Sequence, residues 1–244
     1  MRALLKQTKI GWLIYRLPRL MRGRDLLIRP DIRVPTKQIG SGYGAWYVVP
    51  SLIKSGDLAF CFGLGTDIVL ETSLAAMYEM TVFGFDPTPT SLRWLANQLI
   101  DSRLVVVPYG LATFDGTLRF AAPINPEQVS LSAIRETADE SFIELQVRSL
   151  STLRKTYCGG RNIALLKMDI EGSEYEVLDS LVNEDRLPPQ LLVEFHHRFA
   201  EVGVAKTRRA VDTLRAAGYL VAYISPNGEE FTFVHKTALH LCRI

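Results

Sequence analysis

Cysteine is scarce. The 244 residues hold three, Cys61, Cys158 and Cys242, far apart and with no C-x-x-C spacing. That argues against a secreted disulfide framework or a zinc site and points to a reducing compartment, the cytoplasm by default. Long apolar runs are missing as well. The longest near the start, IGWLIY at 10–15, is short both for a membrane span of ~20 residues and for a signal-peptide core. No tract of low complexity and no internal repeat occurs. Acids are absent from positions 1–24, which carry Arg2, Lys6, Lys9, Arg16, Arg19, Arg22 and Arg24, so the overall charge of +2 hides a remainder with 21 basic against 26 acidic side chains. A body of net −5 is no general polyanion binder, and no nucleic-acid partner is expected. What is present, 48% hydrophobic and 22% charged residues, suits one globular domain that buries well over half of its unfolded surface.

The chain divides into a basic helical extension at 1–24 and a single domain over 25–244 whose regular core begins near 57. On a helix Arg2, Lys6, Lys9 and Arg16 share one arc, with Leu4, Ile10, Ile14 and Tyr15 mostly opposite. Two readings follow. The helix packs on its own domain, or it lies on anionic headgroups with Trp12 at the boundary as a peripheral membrane contact. Pro18 is expected to end it. Glycines at 40, 42 and 44 then precede Trp46 and Tyr47.

From 57 onward short apolar runs alternate with segments of helical period, which is the pattern of βαβ units. Strands are predicted at 58–63, 81–86, 103–108, 163–169 and 190–195, continuously apolar as parallel strands covered on both faces must be. Helices are predicted at 67–79, 90–100, 173–183 and 205–217. The last two strands, 219–225 and 230–235, are separated only by Pro226-Asn227-Gly228-Glu229, a hairpin connection. An α/β fold with a mostly parallel sheet ending in an antiparallel pair results. The stretch 112–161, with Pro123 and Pro126, breaks the rhythm and is read as a small hairpin and an active-site flap.

Three motifs sit where such sheets place their ligands, at the carboxyl ends of the strands. The first is Gly63-Leu64-Gly65-Thr66-Asp67, a glycine turn between strand and helix where the backbone can approach a ligand and helix N–H groups are free. A full G-x-G-x-x-G would need glycine at Ile68. The second is Asp86-Pro87, 23 residues after Gly63, a spacing at which an acid accepts hydrogen bonds from ribose hydroxyls; an Asp-Pro turn or helix cap is the alternative. The third is Lys167 to Glu176. Period-2 alternation sends Lys167, Asp169 and Glu171 the same way. Ser173 with Glu176 reads as a capping box, which leaves Asp169 and Glu171 for chemistry unless an ion pair with Lys167 merely holds the loop. Beside this, Glu194 and His196 share one face of the next strand and His197 the other. His196 is the candidate base for a substrate hydroxyl, with a structural histidine as the alternative. Asp169, Glu171 and Glu194 carry oxygens suited to Mg²⁺, but nothing in the spacing demands a metal and none is expected.

Together these residues resemble the FkbM family of S-adenosylmethionine-dependent methyltransferases. LLKMDIEGSEYEVL at 165–178 is similar to the family's K-x-D-x-E-G-[AS]-E motif residue for residue, and the glycine turn, the acid-ended second strand, VPYGLA at 107–112 and the acid-histidine strand at 193–197 follow in order. The second strand ends F-D-P-T-P, as in one subgroup. The likeness spans about 40–235. It implies a Rossmann-like class I methyltransferase fold, a seven-stranded sheet with an antiparallel last strand and helices on both faces. It also implies S-adenosylmethionine as cofactor and transfer to a small-molecule or glycan acceptor, a hydroxyl of a sugar, glycolipid or natural product. By position, Gly63, Leu64, Gly65, Asp67, Asp86, Pro87 and Asp169 would hold the cofactor, with Tyr109, Gly110 and Leu111 near the adenine. Asp169 and Glu171 would sit beside the methyl group and acceptor, with His196 as the base. Cys61 stands where the family usually carries an acid supporting the methionine end, and Asp67 is the expected substitute. The rivals are an inactive methyltransferase-like binding protein, and a nicotinamide oxidoreductase. The latter is disfavoured by Ile68 and by Tyr43, Tyr47 and Tyr78 lacking a lysine four residues on.

Overall fold

The computed structural model describes residues 9–40, 45–121 and 142–242. Arg2, Leu4 and Lys6, the glycines at 42 and 44, and Pro123 and Pro126 of the expected flap lie outside the described residues.

Seven strands form the central sheet: β3 (Leu58–Phe62), β4 (Thr81–Phe85), β5 (Leu104–Val107), β9 (Ile163–Met168), β10 (Gln190–Glu194), β11 (Tyr219–Ile224) and β12 (Glu230–His235), in the spatial order β11-β12-β10-β9-β3-β4-β5. β5, β4, β3, β9 and β10 run parallel, and β12 pairs antiparallel with both β10 and β11. This is the sheet of Rossmann-like methyltransferases, with the antiparallel strand expected from the terminal hairpin. That hairpin turns with Gly228 N–H donating to Ser225 O, Gly228 itself at φ +87.

The apolar strands are explained by cover on both sides. In β3, Leu58, Phe60 and Phe62 face a cluster built with α5 (Glu174–Leu181) and α6 (Gly203–Ala216), while Ala59 and Cys61 face one built with α2 (Val69–Tyr78) and α3 (Pro89–Leu95). All five β3 residues are buried. Each such large side chain contributes about 1.5–3 kcal/mol of transfer free energy. A strand that turns apolar groups both ways is held in register from both layers.

Two smaller sheets flank the main one. β1 (Lys37–Ile39) and β2 (Trp46–Val48) pair antiparallel. β6 (Gly110–Ala112), β8 (Phe142–Ser149) and β7 (Gly116–Ala121) form a three-stranded sheet containing the expected hairpin, followed by α4 (Leu150–Tyr157).

The N-terminal helix α1 (Lys9–Met21) runs through Pro18 rather than ending there, and it meets the domain through a residue expected on its outer basic arc. Arg16 is buried and bidentate on Asp25, at 3.1 and 2.9 Å. Ile14 and Tyr15, expected on the packing face, are exposed, as are Leu17 and Met21. The charged pair, not the apolar stripe, orients the described part of the helix. No described helix is long and apolar enough to cross a membrane.

Candidate active site

β3 ends at Phe62 and the chain turns at Gly63, φ +77. The turn is pressed onto the end of β9: a Cβ at position 63 would come 1.7 Å from the Asp169 carbonyl oxygen, and Asp169 N–H donates to Phe62 O at 3.2 Å. Only glycine meets both conditions. Asp86, buried at the end of β4, clamps the turn. Its Oδ2 accepts from Leu64 N and Gly65 N at 3.1 and 2.9 Å and its Oδ1 from Thr88 N at 2.8 Å. The Asp-Pro turn therefore forms, and the same carboxylate shapes the glycine loop at the edge of a cleft that Asp86 lines.

The Lys167–Glu176 segment brings its charges together as the alternation predicts. Lys167 is buried and donates to Gly63 O and to Asp169 Oδ2, the latter at 3.5 Å. Burial opposes its charge, but Asp169 and Glu71 hold its pKa above the ordinary lysine value. Glu171 adopts φ +54, left-handed and uncommon for a side chain other than glycine or asparagine.

The capping box is not what starts α5. Ser173 makes no side-chain capping bond among the described residues, and Glu176 pairs with Lys206 on the surface at 2.7 Å. Glu174 replaces it. Fully buried, its Oε1 accepts from Ile170 N at 2.9 Å, Gly172 N at 3.2 Å and His196 Nδ1 at 3.0 Å. The left-handed turn at Glu171 and Gly172 folds the loop back over its own helix, putting position 174 in reach of those N–H groups.

His196 is correspondingly not an idle base. Its Nε2 lies 3.5 Å from Glu171 and 3.9 Å from Asp169. Burial disfavours the imidazolium, yet Glu174, with Glu194 and Glu171, raises its pKa to about 10. That shift favours the imidazolium, a hydrogen-bond donor, over the free base that the sequence reading expects at this position. Asp169, Glu171 and His196 present ligand atoms within 4.8 Å of one another, so His196 rather than Glu194 completes the trio. Glu194 is driven well above the ordinary carboxyl range by burial and by Asp169 and Glu230. His197 has the structural role: Nε2 sits 3.3 Å from buried Asp25.

These groups surround a cavity of about 390 Å³ at the carboxyl ends of β3, β4 and β9, ample for a small-molecule ligand. Gly63, Leu64, Gly65, Asp67, Asp86, Pro87, Gly110, Leu111, Asp169 and Glu171 all line it. Tyr109 does not; its ring lies under the Arg148 guanidinium, 4.5 Å away, and against the core. Asp67 accepts from Val69 N–H at the start of α2. Trp46, Phe120 and Glu71 are among the lining residues that escaped the sequence reading. Glu71 had a signal, an acid on the stripe of α2 that buries Leu70, Leu74 and Ala75. The lining combines apolar side chains, Leu111, Pro87 and Phe120 among them, with the charged Lys167 and Glu71, a mixture that suits a ligand carrying both an apolar ring system and a zwitterionic group.

The chain matches the methyltransferase FkbM domain over residues 64–221. No curated protein matches it. Among solved structures, it is similar to Methanococcus jannaschii fibrillarin, a pre-rRNA processing protein (9% identity, 86% of each chain, TM-score 0.45), and to Aeropyrum pernix fibrillarin with natively bound S-adenosyl-L-methionine (9%, 84% of this chain and 85% of that one, 0.43). A 16S rRNA (adenine(1408)-N(1))-methyltransferase from Catenulisporales acidiphilia with SAM is also similar (15%, 82% and 98%, 0.37). The exclusion of nucleic acid is corrected by this finding. Proteins named for ribosomal RNA are among the similar structures, and a net charge averaged over the body of a chain says little about the local surface a substrate meets.

Proposed function

We propose, for a chain that belongs to the FkbM methyltransferase family and takes S-adenosylmethionine as its cofactor, that the methyl acceptor is an alcohol, a hydroxyl of a sugar, glycolipid or natural product. The observation that carries this reading is the carboxylate pair Asp169 and Glu171, about a quarter exposed at the cleft and backed by the buried cations Lys167 and His196.

The cofactor supplies a methyl carbon already made electrophilic by its sulfonium. The protein's remaining task is to hold, align and dry the reactants and to remove a proton from a neutral acceptor. The glycine turn with Asp67, Asp86 and Pro87 holds the nucleoside, with Gly110 and Leu111 along the base and Tyr109 supporting them from behind. Asp169 and Glu171 accept the hydrogen bond of the acceptor hydroxyl and take its proton. Protonated His196 acts through Glu171 as a positioning residue, donating from Nε2 while Glu174 fixes the ring at Nδ1.

The test is transfer of labelled methyl to a panel of glycans, glycolipids and polyketide-like alcohols, with amines and RNA alongside. Alkali-stable label in an alcohol is expected. Label confined to amines, or to RNA as the names of the similar structures suggest, would overturn the alcohol reading. Glu171→Gln is expected to bind S-adenosylhomocysteine normally and lose about 100-fold or more in turnover.

A further inference from the structure

Glu71 is the least expected group in the cleft. It sits in the first turn of α2, 1% exposed, and lines the cavity. Its surroundings follow from strand register. Cys61 of β3 stands beside Lys167 of β9, and burial together with the Glu71 carboxyl, on the helix that covers this face, raises the Cys61 thiol pKa. Lys167 is the cation that acts on Glu71, and Lys167 already serves Asp169 and Gly63 O. Asp169, about a quarter exposed, also has His196 3.9 Å away, whereas Glu71 is buried and shares only Lys167 with it. A further cation in the cavity would stabilise the Glu71 carboxylate. Burial, only partly offset by Lys167, raises the Glu71 pKa, as expected for a carboxyl short of positive charge.

Asp67 does not fill this place. It is exposed at the loop rim and its carboxylate accepts from Val69 N–H at the start of α2.

We propose that Glu71 receives the α-ammonium of the cofactor's amino-acid end while Lys167 faces its carboxylate, so that the helix α2 supplies the acid that Cys61 in β3 does not. The inference rests on the methyltransferase reading and names a specificity-determining residue within it. Glu71 discriminates between ligands that carry the ammonium and ligands that lack it, and it takes no part in the proton transfer assigned to Asp169 and Glu171.

Titration calorimetry of the full chain separates the possibilities. The ligands are S-adenosylhomocysteine, its deaminated analogue and 5′-methylthioadenosine, and the proteins are the wild type and Glu71→Gln. In the wild type, deamination is expected to weaken binding about 10- to 100-fold, the range of one charge-assisted hydrogen bond. Glu71→Gln is expected to weaken S-adenosylhomocysteine by a similar factor while leaving the other two ligands within about twofold, since the coupling belongs to the pair. Equal weakening of all three ligands would make Glu71 a structural support and overturn the proposal. So would wild-type protein indifferent to deamination, a result that needs no variant to fold. Wild-type protein that binds none of the three would instead overturn the cofactor reading, and this assignment with it.

Discussion

His196 Nδ1 lies 3.0 Å from Glu174 Oε1, both side chains buried, and this contact favours the charged form of the histidine. Its folded pKa of about 10 exceeds the ordinary 6.5. The stabilisation it gives is therefore fully present below pH 6.5 and is lost as pH rises toward 10. Denaturant unfolding across that window should show stability falling with pH, and His196→Gln should flatten the slope. A slope unchanged in the variant would refute the assignment.

The two glutamates that follow Ser173 should behave in opposite ways. Glu174→Ala removes a buried acceptor of three hydrogen bonds and leaves His196 short of its partner, at a cost of about 3–5 kcal/mol. Glu176→Ala removes only an exposed pair with Lys206 and should cost less than about 1 kcal/mol. If instead Glu176 proved the costly one, the capping box would be restored. Urea midpoints of the two variants decide it.

Gly63→Ala meets two obstacles, a left-handed φ and the Asp169 carbonyl. A loss of roughly 2–5 kcal/mol is expected, together with loss of S-adenosylhomocysteine binding. A thermally normal variant with normal affinity would show that the strand ends separate more easily than their contact implies.

Asp25 is the hub that ties α1 to the segment following β10, bound by Arg16, His197 and Arg198. Burial resists its ionisation, but the hydrogen bonds from His197, Arg16 and Arg198 outweigh it and hold the carboxyl well below the usual range. Stability from this group is fully present above the ordinary carboxyl pKa, declines as pH falls below it and is lost only as pH passes through the much lower folded value. Asp25→Asn should cost about 3–5 kcal/mol at pH 7 and less in acid; equal losses at pH 7 and pH 3 would contradict it.

The sheet was legible because its central strands are buried on both faces and its edge strands stay apolar, so apolar runs marked all seven, and the Pro226–Glu229 connection marked the antiparallel one. The glycine turn, Asp86, Asp169 and Glu171 were legible as a cleft because strand ends in such sheets converge. The misses share a cause, a side chain whose partner is set by backbone that the pattern does not encode. Glu174 displaces Glu176 through the left-handed turn at Glu171. Glu71 acquires its role from the register that sets Cys61 against Lys167. Arg16 turns inward because Asp25 and the Pro226 carbonyl meet it, the second from across a long stretch of sequence.

The three backbone N–H groups gathered by Asp86 bear on kinetics as well as shape. A loop already fastened in its final path surrenders little freedom when a guest arrives. Ligands that share the nucleoside should then associate at similar rates, and the differences among them should be read in how long each one stays.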